Sequence, residues 1–258
     1  MSDYLLELKN INYSYHSLHG ETKALQNISF GVKEGEFVAI VGPSGCGKST
    51  LLSIISGLLK PKSGTIVVNH SDGSLGYPKI GYMLQHDHLF EWRTIYQNVV
   101  LGLEIQKKKT AEHLEYIDQL LKDYGLYEFR HKRPSELSGG MKQRAALIRT
   151  MALKPEVLLL DEPFSALDYQ TRLLVSADIC NLIRQTKKTV IIITHDLSEA
   201  ISLADRIIVL SKRPAVVKRE IPINLTIKEG DPLGARNAPE FGRYFKMLWE
   251  EMTYENNP

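Results

Sequence analysis

At 258 residues the chain is long enough for one large domain, or a domain with a small lobe, around a sizeable core. Apolar residues make up 43% and charged residues 24%, ordinary values for a folded soluble protein. Lys and Arg number 32 against 30 Asp and Glu, a net charge of +2, so electrostatics make no case for nucleic acid as a partner.

The chain starts "MSDYLLELKN", with acids and no apolar stretch of signal-peptide length, so secretion is not expected. "LLELKNINYSY" and "ALQNISFGVKEGE" read as early strands. "FVAIV", Phe37 to Val41, is a short apolar run of the kind buried on both faces in a parallel sheet. "GPSGCGKST" follows it directly: Gly42, Pro43, Ser44, Gly45, Cys46, Gly47, Lys48, Ser49 and Thr50. This fits G-x-x-x-x-G-K-[ST] in its required context, with a strand before and the helix "STLLSIISGLL" after. The glycines let backbone N–H groups converge on phosphate, and the helix start adds partial positive charge. Lys48 is then expected to reach the β- and γ-phosphates, and the Ser49 hydroxyl to hold Mg2+. Cys46 sits at a variable position of the loop and is assigned no chemistry.

"KIGYMLQ" is a further strand candidate whose end, Gln85, is placed to reach a metal or a water. Leu89, Phe90 and Trp92 follow, either as an exposed partner groove or as core of a helical lobe. From about Phe90 to Leu153 the pattern becomes helical. "TAEHLEYIDQLLKDYG" sets Leu114, Ile117, Leu121 and Tyr124 at helical spacing with Gly125 as a stop, and Lys107 to Lys109 read as a solvated turn. "LSGGMKQR" then opens a core helix, "AALIRTMAL". Ser138 is a natural N-cap, and Gly139 and Gly140 bare the N–H groups of the first turn, which makes a second anion site.

"VLLLDEP", Val157 to Pro163, ends a buried strand in two acids. Charge near a core is costly unless a cation offsets it. Asp161 is therefore a candidate holder of Mg2+, and Glu162 a candidate general base for an attacking water; an acidic strand end opening a loop is the plain alternative. "TVIIIT" is a third buried strand, and His195 follows it, where ligands collect in open α/β sheets; it either holds a γ-phosphate, orients water, or is structural. "AVVKREIPI" is a last strand candidate, Asn224 to Pro239 a polar linker, and "EFGRYFKMLWEEM" a closing amphipathic helix with Phe241, Phe245, Leu248 and Met252 on one side. No apolar run approaches the roughly 20 residues that cross a bilayer. Cys46 and Cys180 match neither a metal pattern nor a disulfide framework, which suits a reducing cytoplasm.

A phosphate loop with an acid pair also suits a small-molecule kinase or a GTPase, but no guanine-reading N-K-x-D occurs and no basic lid stands out. With "LSGGMKQR" as a second anion site, the chain resembles the ATP-binding-cassette (ABC) ATPases over about Leu5 to Ser211. The family's elements stand in order: Walker A at Gly42 to Thr50, the Q-loop at Gln85, the signature at Leu137 to Arg144, Walker B ending in Asp161 and Glu162, the D-loop at Ser165 to Asp168, and the switch His195. The resemblance implies an α/β P-loop NTPase core with an N-terminal antiparallel β portion and an inserted helical subdomain at about 90–153. The ATPase domain would span 3–222, and a linker with an amphipathic helix 223–258.

It further implies ATP with Mg2+ held by Ser49, Gln85 and Asp161, with Glu162, His195, Gln85 and Lys48 as the catalytic set. Tyr15 would stack on adenine, with Tyr13 close enough to be confused with it and core packing open for either. The dimer would be head-to-tail, with Ser138, Gly139, Gly140 and Asp168 serving ATP held by a second copy. Details around Trp92 and the C-terminus look like the ATPase subunits of importers for nitrate, sulfonate, taurine and related organic compounds. Glu91 stands where sulfonate and taurine members usually carry proline. Such a subunit works with transmembrane permease subunits and a separate solute-binding protein, at the cytoplasmic face of the cell membrane, without nucleic acid. An ABC ATPase acting in assembly or nucleic-acid processes is the alternative.

Overall fold

The computed structural model describes residues 4–18, 20–69, 77–226 and 234–253. They form two compact units, one built from the chain up to Pro78 and again from Thr189, the other spanning Lys79–Lys188. In chain order the first unit supplies β1 (Leu6–Ser17), β2 (Gly20–Val32), β3 (Phe37–Val41), α1 (Lys48–Ile55) and β4 (Ser63–Val68). The second supplies β5 (Ile80–Met83), α2 (Ile95–Val99), α3 (Leu101–Ile105), α4 (Ala111–Asp123), α5 (Gly139–Met151), β6 (Val157–Asp161) and α6 (Tyr169–Gln185). The chain then returns to the first unit for β7 (Thr189–Ile193), α7 (Leu197–Leu203), β8 (Arg206–Leu210), β9 (Val217–Pro222) and α8 (Phe241–Thr253).

In the first unit β1 pairs antiparallel with both β2 and β4. β3 lies parallel between β7 and β8, and β9 closes the edge antiparallel to β8. Every residue of β3 and β7 is buried, as continuous Val, Ile and Phe runs require of a strand covered on both faces. In the second unit β5 and the fully buried β6 pair parallel. The α/β core with an antiparallel β portion is therefore the architecture observed, and α2 to α5 all fall between residues 90 and 153.

Two local expectations change. The helix after the glycine loop stops at Ile55 rather than running on to Leu59, because Gly57 takes a left-handed φ of 77° and turns the chain. In α8 Leu248 is buried as expected, but its buried partner is Tyr244, while Phe241, Phe245 and Met252 are only half-buried. Packing of α8 on α7 selects that pair, and Phe241, Phe245 and Trp249 form a stacked ladder that leaves Trp249 exposed. Gly234–Asn237 within the expected linker is a 3-10 turn, while 227–233 lies outside the described residues, as do 1–3 and 254–258.

Candidate functional site

In the first unit the loop from Gly42 to Gly47 joins β3 to α1. Gly47 is the N-cap of α1 at φ 125°, and no side chain caps the helix, so the end of the helix is left open to an anion. A Cβ on Gly47 would lie 2.9 Å from Leu25 Cδ2 and 3.2 Å from the Ala24 carbonyl oxygen, so only glycine fits. Lys48 is buried, and its Nζ donates to the carbonyls of Gly42 at 2.8 Å and Pro43 at 3.0 Å. An ammonium has three N–H donors, so one remains for an anion. Burial pushes the Cys46 thiol up, which keeps it neutral and inert. Ser44, Gly45 and Ser49 are exposed, and Thr50 is buried with its hydroxyl 2.9 Å from that of Tyr15. Tyr15 keeps 43% of its surface exposed and meets Tyr13 edge-on.

His195 is exposed just beyond β7. Since Ile40 of β3 is in register with Ile193 of β7, the glycine loop and His195 leave the same end of that parallel sheet. Ligands bind at that end in such sheets. Asp196 then caps α7 through the N–H groups of Ser198 and Glu199.

In the second unit Met83 of β5 is in register with Leu160 of β6, so Gln85 and Glu162 emerge side by side. Gln85 Nε2 donates to Glu162 Oε2 at 3.3 Å, which leaves the Gln85 amide oxygen as an acceptor. Asp161 is buried at 7% exposure and accepts from the Tyr82 hydroxyl at 3.4 Å. Glu162 holds a left-handed φ of 45°, a strained conformation for a non-glycine residue and one found most often at functional positions. The amide oxygen of Gln85 and the carboxylate of Asp161 in this unit are hard oxygen donors, as is the Ser49 hydroxyl in the first unit, and that type suits Mg2+. Each unit by itself offers too few for a cage, as suits an ion that is also bound by phosphate oxygens.

The signature opens α5 as read. Ser138 Oγ accepts from the Met141 N–H at 3.4 Å. The glycine pair also has a packing role that the sequence did not reveal. A Cβ on Gly140 would lie 2.8 Å from Val175 Cγ2 of α6, and one on Gly139 3.0 Å from Leu167 Cδ2. Asp168 caps α6 through the Thr171 N–H, and bonding from Thr171 holds its carboxyl below the usual range.

Three residues escaped the sequence reading. Arg149 of α5 donates to the carbonyls of Asp87 at 2.6 Å and His88 at 2.7 Å, fixing the segment after Gln85. Asn98 is fully buried, accepts from the Phe90 N–H at 2.7 Å and donates to the carbonyls of Phe90 and Thr94, so it shapes the loop that carries Trp92. Arg213 donates to the Gly45 carbonyl at 2.6 Å. No local pattern marks any of the three, because each acts on backbone that is remote or irregular. Of the aromatic stretch, Leu89 is buried and Trp92 is 72% exposed, with the Phe90 and Trp92 rings 4.7 Å apart.

Comparison with known proteins gives matches over most of the chain. The ABC transporter family model matches residues 25–165. A nitrate import ATP-binding protein of a Synechocystis species is 41% identical, over 93% of this chain and 91% of its own. A taurine import ATP-binding protein of a Jannaschia species is 39% identical, over 95% and 94%. Among solved structures, a dimeric post-hydrolysis ATP-binding cassette bound to ADP and Pi aligns with a TM-score of 0.70 at 33% identity, covering 85% of this chain and 99% of that one.

Proposed function

Because the chain belongs to the ABC transporter family, we propose that it is the ATP-hydrolysing subunit of an importer, working with permease subunits and a separate solute-binding protein. The solute class that the relatives' names suggest is nitrate, taurine or a related small compound, sulfonates included as the class to which taurine belongs. Among the described residues no helix is long and apolar enough to cross a membrane. The subunit is proposed to dock on its permease from the cytoplasmic face, and the exposed Trp92 beside Phe90 supports that contact. The importer names of the relatives argue against a role in assembly or on nucleic acid. Residues 3–222 serve, in this reading, as one ATPase domain.

The observation that carries the reading is the buried Lys48 ammonium, partnered by loop carbonyls and keeping one donor for phosphate. In the proposed reaction the N–H groups of Gly42 to Thr50 and Lys48 hold the phosphates, and Tyr15 offers its exposed ring to the adenine. Ser49, Gln85 and Asp161 would hold Mg2+, which would supply neutralisation of the negative charge on the phosphates. Glu162 takes a proton from water as the water oxygen attacks the γ-phosphorus; the bond to the β-phosphate oxygen breaks, and ADP and phosphate leave. Gln85, bonded to Glu162, fixes the carboxylate, and His195 orients the water. Ser138, Gly139, Gly140 and Asp168 serve ATP held by a second copy, so that ATP binding favours a closed pair whose closure moves the permease.

Glu162→Gln tests the base. It is expected to retain ATP binding and trap a dimer while turnover falls by about 10²- to 10⁴-fold. Hydrolysis near the wild-type rate removes Glu162 from that role. In the reconstituted complex, the solute that raises ATPase activity identifies the cargo.

A further inference from the structure

The turn between β8 and β9 has no part in the machinery described so far, yet it touches the glycine loop twice. Arg213 Nη2 donates to the Gly45 carbonyl at 2.6 Å. Leu210, at the end of β8, backs the loop's first residue: a Cβ on Gly42 would come within 3.1 Å of both its Cβ and its carbonyl oxygen. The turn is itself anchored. Ala215 N donates to Ala24 O, and Gln26 N to Ala215 O, each at 2.9 Å. Ser211 Oγ accepts from the Val216 N–H at 3.0 Å. Ala24 and Leu25 are also the residues against which Gly47 is pressed.

We propose that Arg213 is a nucleotide-positioning residue that acts through Gly45, a proposal that rests on the reading of Gly42 to Thr50 as the ATP phosphate loop. Gly45 needs the hold. It sits at φ 71°, exposed, with nothing within 4 Å of where its Cβ would be, so no packing fixes it. The peptide from Gly45 to Cys46 is instead held at both ends, its oxygen by Arg213 and its N–H by a 3.3 Å bond to the Pro43 carbonyl. Rotating that peptide would break both bonds, and a bond from a guanidinium is about twice as strong as a neutral one. Lys48 already serves Gly42 and Pro43, so Arg213 supplies the hold on the part of the loop that Lys48 does not reach. A loop fixed before its ligand arrives does not lose that freedom on binding, and the gain appears as affinity. The exposed guanidinium also attracts a triphosphate, an attraction that salt weakens.

The position separates binding from folding. Arg213 is exposed, so removing it leaves neither a cavity nor a buried unpaired group. The test is ATP affinity by calorimetry on the full chain with Mg2+, for wild type, Arg213→Met, Arg213→Lys and Lys48→Ala, with the unfolding midpoint of each nucleotide-free chain. Arg213→Met is expected to bind ATP about tenfold more weakly and Arg213→Lys within about threefold of wild type. Both should keep their midpoints within about 2 °C. ATP binding by Arg213→Met within about twofold of wild type, beside a weakened Lys48→Ala, overturns the proposal and leaves the phosphate-loop reading standing. Loss of affinity together with a fallen midpoint and no rescue by lysine also overturns it, since Arg213 is then structural. If Lys48→Ala binds ATP as wild type does, the phosphate-loop reading itself fails and takes this proposal with it.

Discussion

Arg149 shows how one side chain can set the course of an irregular segment. Its guanidinium meets two successive carbonyls, of Asp87 and His88, at 2.6 and 2.7 Å. Burial lowers its pKa, with Asp87 opposing. His88 between these bonds holds φ 45°, which an unsupported loop would relax. Hydrogen bonds from a charged donor contribute about 1.5–3 kcal/mol each, so losing the two in Arg149→Ala is expected to lower unfolding free energy by about 3–6 kcal/mol. Urea titration checks this. Arg149→Lys, with no fork to span two carbonyls, should recover about half.

Among elements, α5 carries the most conflicting demands. Its start is a poor helix sequence, since each glycine costs about 0.5–1 kcal/mol relative to alanine. The compensation is proximity: Gly140 lets α6 approach until Val175 Cγ2 would stand 2.8 Å from an added Cβ. Valine is stiff at χ1 and cannot swing away cheaply. Gly140→Ala should therefore gain helix propensity yet lose more to overpacking, for a net loss of about 1 kcal/mol. Combining it with Val175→Ala opens the space. Thermal unfolding of the two singles and the double should give a favourable coupling of about 1 kcal/mol; strict additivity would mean that the contact does not govern the glycine.

At the scale of the whole molecule the proposal needs two copies, because the signature is assigned to a nucleotide bound elsewhere. Ser138→Arg is expected to leave ATP binding by a single chain within about twofold, while ATPase turnover falls by about 100-fold. Turnover that stays at the wild-type rate would show that the signature acts on no second copy's ATP. Much of this molecule is legible from short windows. The apolar runs at β3, β6 and β7, the glycine loop, the acid pair and the cap at Ser138 are each fixed by neighbours within a few residues, so spacing alone reveals them. The end of α1 needed the left-handed turn at Gly57, and the buried stripe of α8 depended on what α7 presents to it. Only tertiary structure could bring Arg213 to Gly45, 168 residues away, or set Val175 against Gly140. Sequence period records which face an element buries. It holds no record of which distant backbone group an isolated charged side chain will meet, because that meeting is decided when the packed elements fix where their loops can lie.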